Sequence, residues 1–269
     1  MKTLYVGLKI DITLNSLSRV NHNSPRYGLH SFKKSLTEEK MNKVITESCN
    51  LIKKSGLQYV VCGGYAIDLF LNKKIRRHTD FDITIFDEDR KEILNFMLAQ
   101  GWDIYDHIWD NQGTDHLIPI KSPDDERAMQ VDMVWAVKPG CTLLTVTPKE
   151  GEDGIFVYKM TSTDITNADF IEICFDKKDN QNFICNKEIN ITRPLDKAIL
   201  YNGDIPYLSP EITLYHKSAP VYMTWLKTIF DFYHTAHLLN DESKDWLIKS
   251  LIRTYPDGHE WVERLQKNF

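Results

Sequence analysis

The order of apolar and polar positions predicts alternating strands and helices in the middle of the chain. Residues Tyr59 to Cys62 form a short, largely β-branched apolar run, which is typical of a buried strand, and this run ends at two glycines. A helix is predicted to begin at about Tyr65. Residues Phe81 to Phe86 then alternate as a strand does. Alternation of this kind favours an α/β (α+β) fold with a mixed sheet.

The same pattern divides the chain into three parts. Residues 1–36 show no sustained period and are predicted to form an extension, either flexible or in contact with another subunit. Residues 37–193 carry the strand and helix alternation. After Arg193 the apolar spacing becomes helical, and Ser209-Pro210 gives a strong helix start. A helical C-terminal domain is therefore predicted over residues 194–269.

The glycine pair and two aspartates are the candidates for chemistry. Gly63 and Gly64 lie between a predicted strand and a predicted helix, where backbone N–H groups and the helix dipole favour phosphate. Asp80 and Asp82 are two residues apart, so in an extended strand both carboxylates face the same side. Hard carboxylate oxygens are the ligands that Mg²⁺ prefers, alongside substrate phosphates. This stretch therefore predicts a phosphate site beside a divalent metal site.

These residues also carry a family resemblance. The glycine pair opens the run Gly63-Gly64-Tyr65-Ala66-Ile67-Asp68-Leu69, and the aspartates close the run Arg76-x-His78-x-Asp80-x-Asp82. Together they resemble the signature of antibiotic nucleotidyltransferases, namely the aminoglycoside adenylyltransferases and lincosamide nucleotidyltransferases of the polymerase-β-like superfamily. The family usually has Trp at the position of Tyr65, and many members have Glu or Lys at the position of Arg77. The resemblance implies a polymerase-β-like nucleotidyltransferase domain with a C-terminal helical domain.

A third carboxylate is expected from the same resemblance. The family has one on a strand beside the Asp-x-Asp strand, and Asp132 matches this position within the apolar run Met129 to Ala136. A lone acid in such a run is costly to bury unless it is paired or bound to metal. Asp80, Asp82 and Asp132 are therefore the predicted metal ligands and catalytic residues, with Asp132 accepting the acceptor's proton. The alternative is that Asp132 is an ordinary hydrogen-bonded or edge-strand residue.

The resemblance further implies a set of nucleotide-binding residues. Lys217 ends a run that resembles the family's Pro-Glu-x-x-Leu-x-x-Lys helix, and Lys227 begins a run, Lys227-x-x-x-Asp231-Phe232, that resembles a second motif. Both lysines could instead be solvent-exposed residues near helix ends. The predicted nucleotide-binding residues are Gly63, Gly64, Arg76, His78, Lys217 and Lys227.

Composition limits the partners. The chain of 269 residues has a formal net charge of −5, which disfavours a nucleic-acid acceptor. Its five cysteines are scattered without Cys-x-x-Cys spacing, as expected of reduced cysteines in a cytoplasmic protein. The sequence has no apolar stretch of about 18 residues, so no membrane span is predicted. Whether the protein is a monomer or a homodimer is left open.

The predicted function is magnesium-dependent nucleotidyl transfer. The enzyme would move a nucleoside monophosphate, most readily AMP from ATP although another NTP is possible, to a hydroxyl of a small molecule and release pyrophosphate. An aminoglycoside or lincosamide antibiotic is the acceptor that the resemblance implies. Two alternatives remain: a toxin-type or regulatory nucleotidyltransferase that modifies protein or tRNA, and a non-catalytic nucleotide-binding module.

Overall fold

The computed structural model describes residues 43–109 and 115–267 of the chain. The predicted N-terminal extension, residues 1–36, lies outside the described residues. No helix within the described ranges is long and apolar enough to cross a membrane.

Between residues 43 and 137 the described part of the chain forms three helices and five strands. Helix α1 covers residues 43–53. The elements that follow are β1 (Tyr59–Val61), α2 (Gly63–Leu71), β2 (Asp82–Phe86), α3 (Arg90–Ala99), β3 (Asp103–Trp109), β4 (Asp115–Ile120) and β5 (Met133–Val137). Helix α2 thus begins at the first glycine of the pair, two residues before the predicted start at Tyr65.

The second half adds seven strands and six helices within the described residues. They are β6 (Leu144–Pro148), β7 (Phe156–Met160), β8 (Phe170–Lys178), β9 (Asn182–Ile184), β10 (Thr192–Pro194), α4 (Leu195–Ala198), β11 (Ile199–Asn202), β12 (Ile205–Leu208), α5 (Pro210–Lys217), α6 (Pro220–Met223), α7 (Leu226–Thr235), α8 (Asp241–Thr254) and α9 (Glu260–Gln266). From Pro210 onward the regular elements are helices.

The strands form a mixed sheet, which confirms the predicted mixed α/β class. Their order is β11-β12-β1-β2-β8-β5-β3-β4-β7-β6, while β9 pairs with β8 and β10. Strand β2 runs parallel to β8 and antiparallel to β1, and β8 runs antiparallel to β5. Strands β11 and β12 follow residue 194 and extend this sheet through β1. The division into domains at residues 193 and 194 stays a prediction.

Alternation along β2 directs side chains into two different cores. Ile83 and Ile85 are fully buried in a core that contains apolar residues of α1 and α3. Phe86 points the other way and belongs to a second core built from α5, α7, α8 and α9. Helices therefore cover both faces of this part of the sheet, and Asp82 and Thr84 lie on the face shared with the C-terminal helices.

Candidate active site

Three carboxylates converge on the sheet face that the C-terminal helices approach. Asp80, Asp82 and Glu172 each offer an oxygen, and these oxygens all lie within 4.8 Å of one another. Asp82 on β2 is directly opposite Glu172 on the parallel strand β8. Phe81 and Ile83 are fully buried on the opposite face, which confirms that Asp80 and Asp82 point the same way. We call Asp80, Asp82 and Glu172 the acidic group.

The electrostatics of the acidic group favour a bound cation. Burial, followed by the charges of Asp82 and Asp80, raises the pKa of Glu172 well above its ordinary value. Burial and the charge of Asp80 also raise the pKa of Asp82, although the nearby lysines Lys217 and Lys227 oppose this. Three carboxylates this close repel each other, and a divalent cation with a preference for hard oxygen ligands relieves the repulsion. The residues present therefore fit magnesium.

Asp132 is not part of this group, so the third member predicted from the sequence has to be corrected. Strand β5 begins at Met133, and Asp132 is an exposed residue just before it. The Asp132 carbonyl accepts a hydrogen bond from the amide of Phe175 at 2.8 Å. This places Asp132 level with Phe175, three residues and about 10 Å along β8 from Glu172. The position on β5 that lies opposite Glu172 is occupied by Trp135.

Glu172 was missed although its sequence signal was available. It is the one acid within the apolar run Phe170-Ile171-Glu172-Ile173-Cys174. A lone carboxylate in such a run has to be paired or bound to metal, which is the argument that singled out Asp132. The signal was present in both runs, and the strand pairing and its register separate them.

The glycine pair allows close packing around Asp82. Gly63 has φ of +61°, and a Cβ built at this position would overlap the Asp82 carboxylate. A Cβ at Gly64 would lie 2.5 Å from Arg76 Nη2 and 2.5 Å from His78 Nδ1. Only glycine therefore lets the N-terminus of α2 approach the acidic group. Side chains of the protein itself fill the space beside Gly64, and Gly63 remains the glycine next to a carboxylate of the group.

His78 is placed beneath the site and fixes the segment that carries Asp80. Its ring is fully buried, stacks on Tyr65 with ring centroids 4.3 Å apart, and has Nε2 2.6 Å from Asp68 Oδ2. Its amide donates to Asp164 at 3.0 Å. A fully buried ring cannot touch a nucleotide in this structure. His78 therefore acts on the site through the position of Asp80, two residues later.

Arg76 and Lys217 share one buried carboxylate. Arg76 donates from Nε and Nη2 to the two oxygens of Asp231, at 2.7 and 2.9 Å. Lys217 Nζ lies 3.2 Å from Asp231 Oδ2. Burial alone would raise the pKa of Asp231, but the hydrogen bond from Arg76 and the charges of Lys217 and Arg76 hold it below its ordinary value. Asp231 thus connects the α2–β2 segment to α5 and α7.

Lys227 faces the acidic group directly. Its Nζ lies 3.7 Å from Asp80 Oδ2 and 4.9 Å from the centroid of the Trp225 ring. Together with Lys217, it places positive charge on the side of the acidic group that α5 and α7 form. The structure therefore brings both predicted lysines near the predicted aspartates.

A model of the aminoglycoside-2''-adenylyltransferase family matches residues 44–111. This segment, roughly a quarter of the chain, contains the glycine pair, Arg76, His78, Asp80 and Asp82. The match confirms the resemblance to antibiotic nucleotidyltransferases and the prediction of an adenylyltransferase. Comparison with curated protein sequences finds no match.

Similar solved structures include two of the antibiotic-resistance factor ANT(2'')-Ia. Its solution structure is 13% identical in sequence, covers 83% of this chain and 95% of its own, and superposes with a TM-score of 0.47. Its crystal structure in complex with adenylyl-2''-tobramycin is 13% identical, covers 78% of this chain and 95% of its own, and gives a TM-score of 0.39.

Proposed function

We propose that this chain, which carries the adenylyltransferase signature over residues 44–111, transfers AMP from magnesium-ATP to a hydroxyl of an aminoglycoside and releases pyrophosphate. The observation that carries the proposal is the acidic group at the N-terminus of α2, with Lys217 and Lys227 beside it. The sheet with helices on both faces supports a polymerase-β-like nucleotidyltransferase fold for this part of the chain.

Asp80, Asp82 and Glu172 would hold the magnesium. When bound there, the ion would supply positive charge against the triphosphate and align it for displacement. The raised pKa values of Asp82 and Glu172 support this assignment, because they reflect carboxylates held together at a cost that a cation would offset. The assignment replaces the predicted set of Asp80, Asp82 and Asp132.

The reaction exchanges one phosphorus–oxygen bond for another. The acceptor's hydroxyl oxygen forms a bond to the α-phosphorus of ATP, and the bond between that phosphorus and the bridging oxygen of pyrophosphate breaks. The pyrophosphate leaves with the electron pair, and the hydroxyl proton passes to a carboxylate. We assign this proton to Glu172, because it is the member of the acidic group that lies directly opposite Trp135 in the pairing of β5 with β8.

The cationic side chains of the site have two roles: two lysines would contact phosphate, and one arginine positions the elements of the site. Lys217 and Lys227 are close enough to the acidic group to lower the pKa of Asp82, so they can face the β- and γ-phosphates as these leave. Arg76 is paired with Asp231 through Nε and Nη2 and keeps α7 against the α2–β2 segment. His78 and the glycine pair set the position of the aspartates. This separates the predicted nucleotide-binding residues into two that contact phosphate and four that shape the site.

The direct test is pyrophosphate release from magnesium-ATP in the presence of an aminoglycoside, with mass spectrometry of the product. We expect a product heavier by one adenylyl group, and no release by an Asp82→Asn variant whose melting temperature stays near that of the wild type. Parallel reactions contain a lincosamide, tRNA or cell lysate. The proposal would be contradicted if only the lincosamide, the tRNA or a component of the lysate were adenylylated. It would also be contradicted if no acceptor led to pyrophosphate release.

A further inference from the structure

Beyond Glu172 the same sheet face carries three contacting rings. Trp135 lies opposite Glu172 in the pairing of β5 with β8. His107 from β3 stacks on Trp135 with centroids 4.1 Å apart, and Tyr158 from β7 meets Trp135 edge-on at 4.8 Å. We call His107, Trp135 and Tyr158 the aromatic wall. Trp135 is only 6% exposed, so it forms the base on which the other two rings rest.

One carboxylate joins the two outer rings of the aromatic wall. Asp115 Oδ1 lies 2.6 Å from His107 Nε2, and Asp115 Oδ2 accepts a hydrogen bond from the Tyr158 hydroxyl at 2.8 Å. The Asp115 side chain is nevertheless 42% exposed. Each carboxylate oxygen can accept a second hydrogen bond. The aromatic wall is therefore held rigid by a carboxylate that can still bind a ligand donor.

The aromatic wall and the acidic group share one electrostatic environment. Burial, the hydrogen bond to Asp115 and the charges of Asp115 and Glu172 together raise the pKa of the Tyr158 hydroxyl. The charges of both Asp115 and Glu172 therefore act on the Tyr158 hydroxyl. A cationic ligand over this ring would meet carboxylates at both ends.

The geometry of the reaction indicates on which side of the acidic group the pyrophosphate leaves and from which side the acceptor hydroxyl attacks. In a phosphoryl transfer the attacking and leaving oxygens are roughly in line through phosphorus. Lys217 and Lys227, which can face the leaving pyrophosphate, project from α5 and α7. The aromatic wall lies on β3, β5 and β7, which follow β8 in the sheet when the strands are counted from β2, the strand just after Asp80, which Lys227 meets. A hydroxyl attacking in line therefore has to come from the aromatic wall.

We propose that the aromatic wall and Asp115 bind the acceptor, and that they select a sugar carrying a protonated amine. The apolar face of the sugar ring would pack on Tyr158 and His107, and the ammonium would donate to Asp115. An ammonium over an aromatic face is further attracted by the ring quadrupole. This inference rests on the proposed function, because it places the acceptor of that reaction.

The test is an Asp115→Asn variant, which removes the charge while keeping an oxygen that can accept from one ring. The control is Asp204→Asn, which changes an exposed aspartate at the β11–β12 turn near the opposite edge of the sheet. Tobramycin is the probe, with binding measured by calorimetry and KM by pyrophosphate release. Loss of a charge-assisted hydrogen bond predicts tobramycin affinity about 10- to 100-fold weaker and a raised tobramycin KM, with the KM for ATP unchanged. Asp204→Asn should match the wild type.

A second variant keeps the test valid if Asp115→Asn does not fold. Tyr158→Ala removes the ring surface and should weaken tobramycin binding, whereas Tyr201→Ala, at an exposed tyrosine on β11, should not. Unchanged tobramycin affinity in folded Asp115→Asn and Tyr158→Ala, or no tobramycin binding by the wild type, would overturn the inference. If the wild type releases pyrophosphate but both variants bind tobramycin as the wild type does, the assignment of the acceptor site to the aromatic wall is wrong and the proposed function stands. Binding that depends on Asp115 without any pyrophosphate release would instead refute the proposed function.

Discussion

Glu172 and Asp132 look alike in the sequence and differ completely in the folded chain. Each is a single acid in an apolar run. Glu172 lies within β8, directly opposite Asp82 on β2, and joins the acidic group. Asp132 lies just before β5, which pairs with β8 on the side away from β2, and it is exposed. The pairing partner of a strand and its register along that partner, rather than its own composition, decide whether its acid reaches the site.

The largest expected effect is on turnover by Glu172→Gln compared with Asp132→Asn. The glutamine keeps the size of Glu172 but removes its charge and basicity, and loss of a general base typically slows a reaction ~10²- to 10⁴-fold. Asp132→Asn alters an exposed residue outside the acidic group, so its turnover should stay near that of the wild type. Pyrophosphate release by the two variants, at matched folded concentrations, measures this. Equal losses would erase the distinction between the two acids.

A smaller effect is expected on the stability of a Gly63→Ala variant, because Gly63 lies next to the acidic group. The new methyl group would overlap the Asp82 carboxylate, and overpacking of this kind typically costs about 1–3 kcal/mol. Gly56→Ala is the matched control, since Gly56 also has a positive φ, +77°, but a Cβ there meets nothing within 4 Å. In urea unfolding, the free energy of unfolding should fall by about 1–3 kcal/mol more for Gly63→Ala than for Gly56→Ala. The same destabilisation in both would mean that backbone strain alone matters at Gly63.

The smallest effect, taken per pH unit, is on the stability of the protein without metal as the pH changes. Because the folded state raises the pKa of Glu172, this residue's contribution is fully present below its unfolded pKa and is lost as pH rises through the raised value. The loss for one proton is at most about 1.4 kcal/mol per pH unit. Urea unfolding in chelator from pH 5 to 8 should therefore show declining stability for the wild type and a flatter profile for Glu172→Gln. A Glu172→Gln profile as steep as that of the wild type would place the titration elsewhere.

Much of the fold and two of the three members of the acidic group followed from local pattern. Period two along β2 correctly placed Asp80 and Asp82 on one face, because that inference needs only one strand. The glycine pair marked the end of β1 and a helix beside the aspartates, although α2 begins at Gly63 rather than at the predicted Tyr65. These features depend on residues close together in the chain.

The rest depended on contacts between distant residues, which spacing does not reveal. Arg76 meets Asp231 across 155 positions, and His78 is paired with Asp68 inside the core rather than facing a ligand. Glu172 reaches Asp82 only because β8 inserts between β2 and β5. Sequence pattern identified candidate charges, and strand order decided which of them meet.

The most direct test of the account is a calorimetric titration of three proteins with Mn²⁺: the wild type, Glu172→Gln and Asp132→Asn. Competition with Mg²⁺ is measured in the same way. It needs neither the acceptor nor turnover. If the acidic group holds the metal, the wild type and Asp132→Asn bind Mn²⁺ with the same affinity. Loss of one ligand should then weaken binding by Glu172→Gln about tenfold or more. Weakened binding by Asp132→Asn together with unchanged binding by Glu172→Gln would contradict the assignment of Glu172 as the third carboxylate.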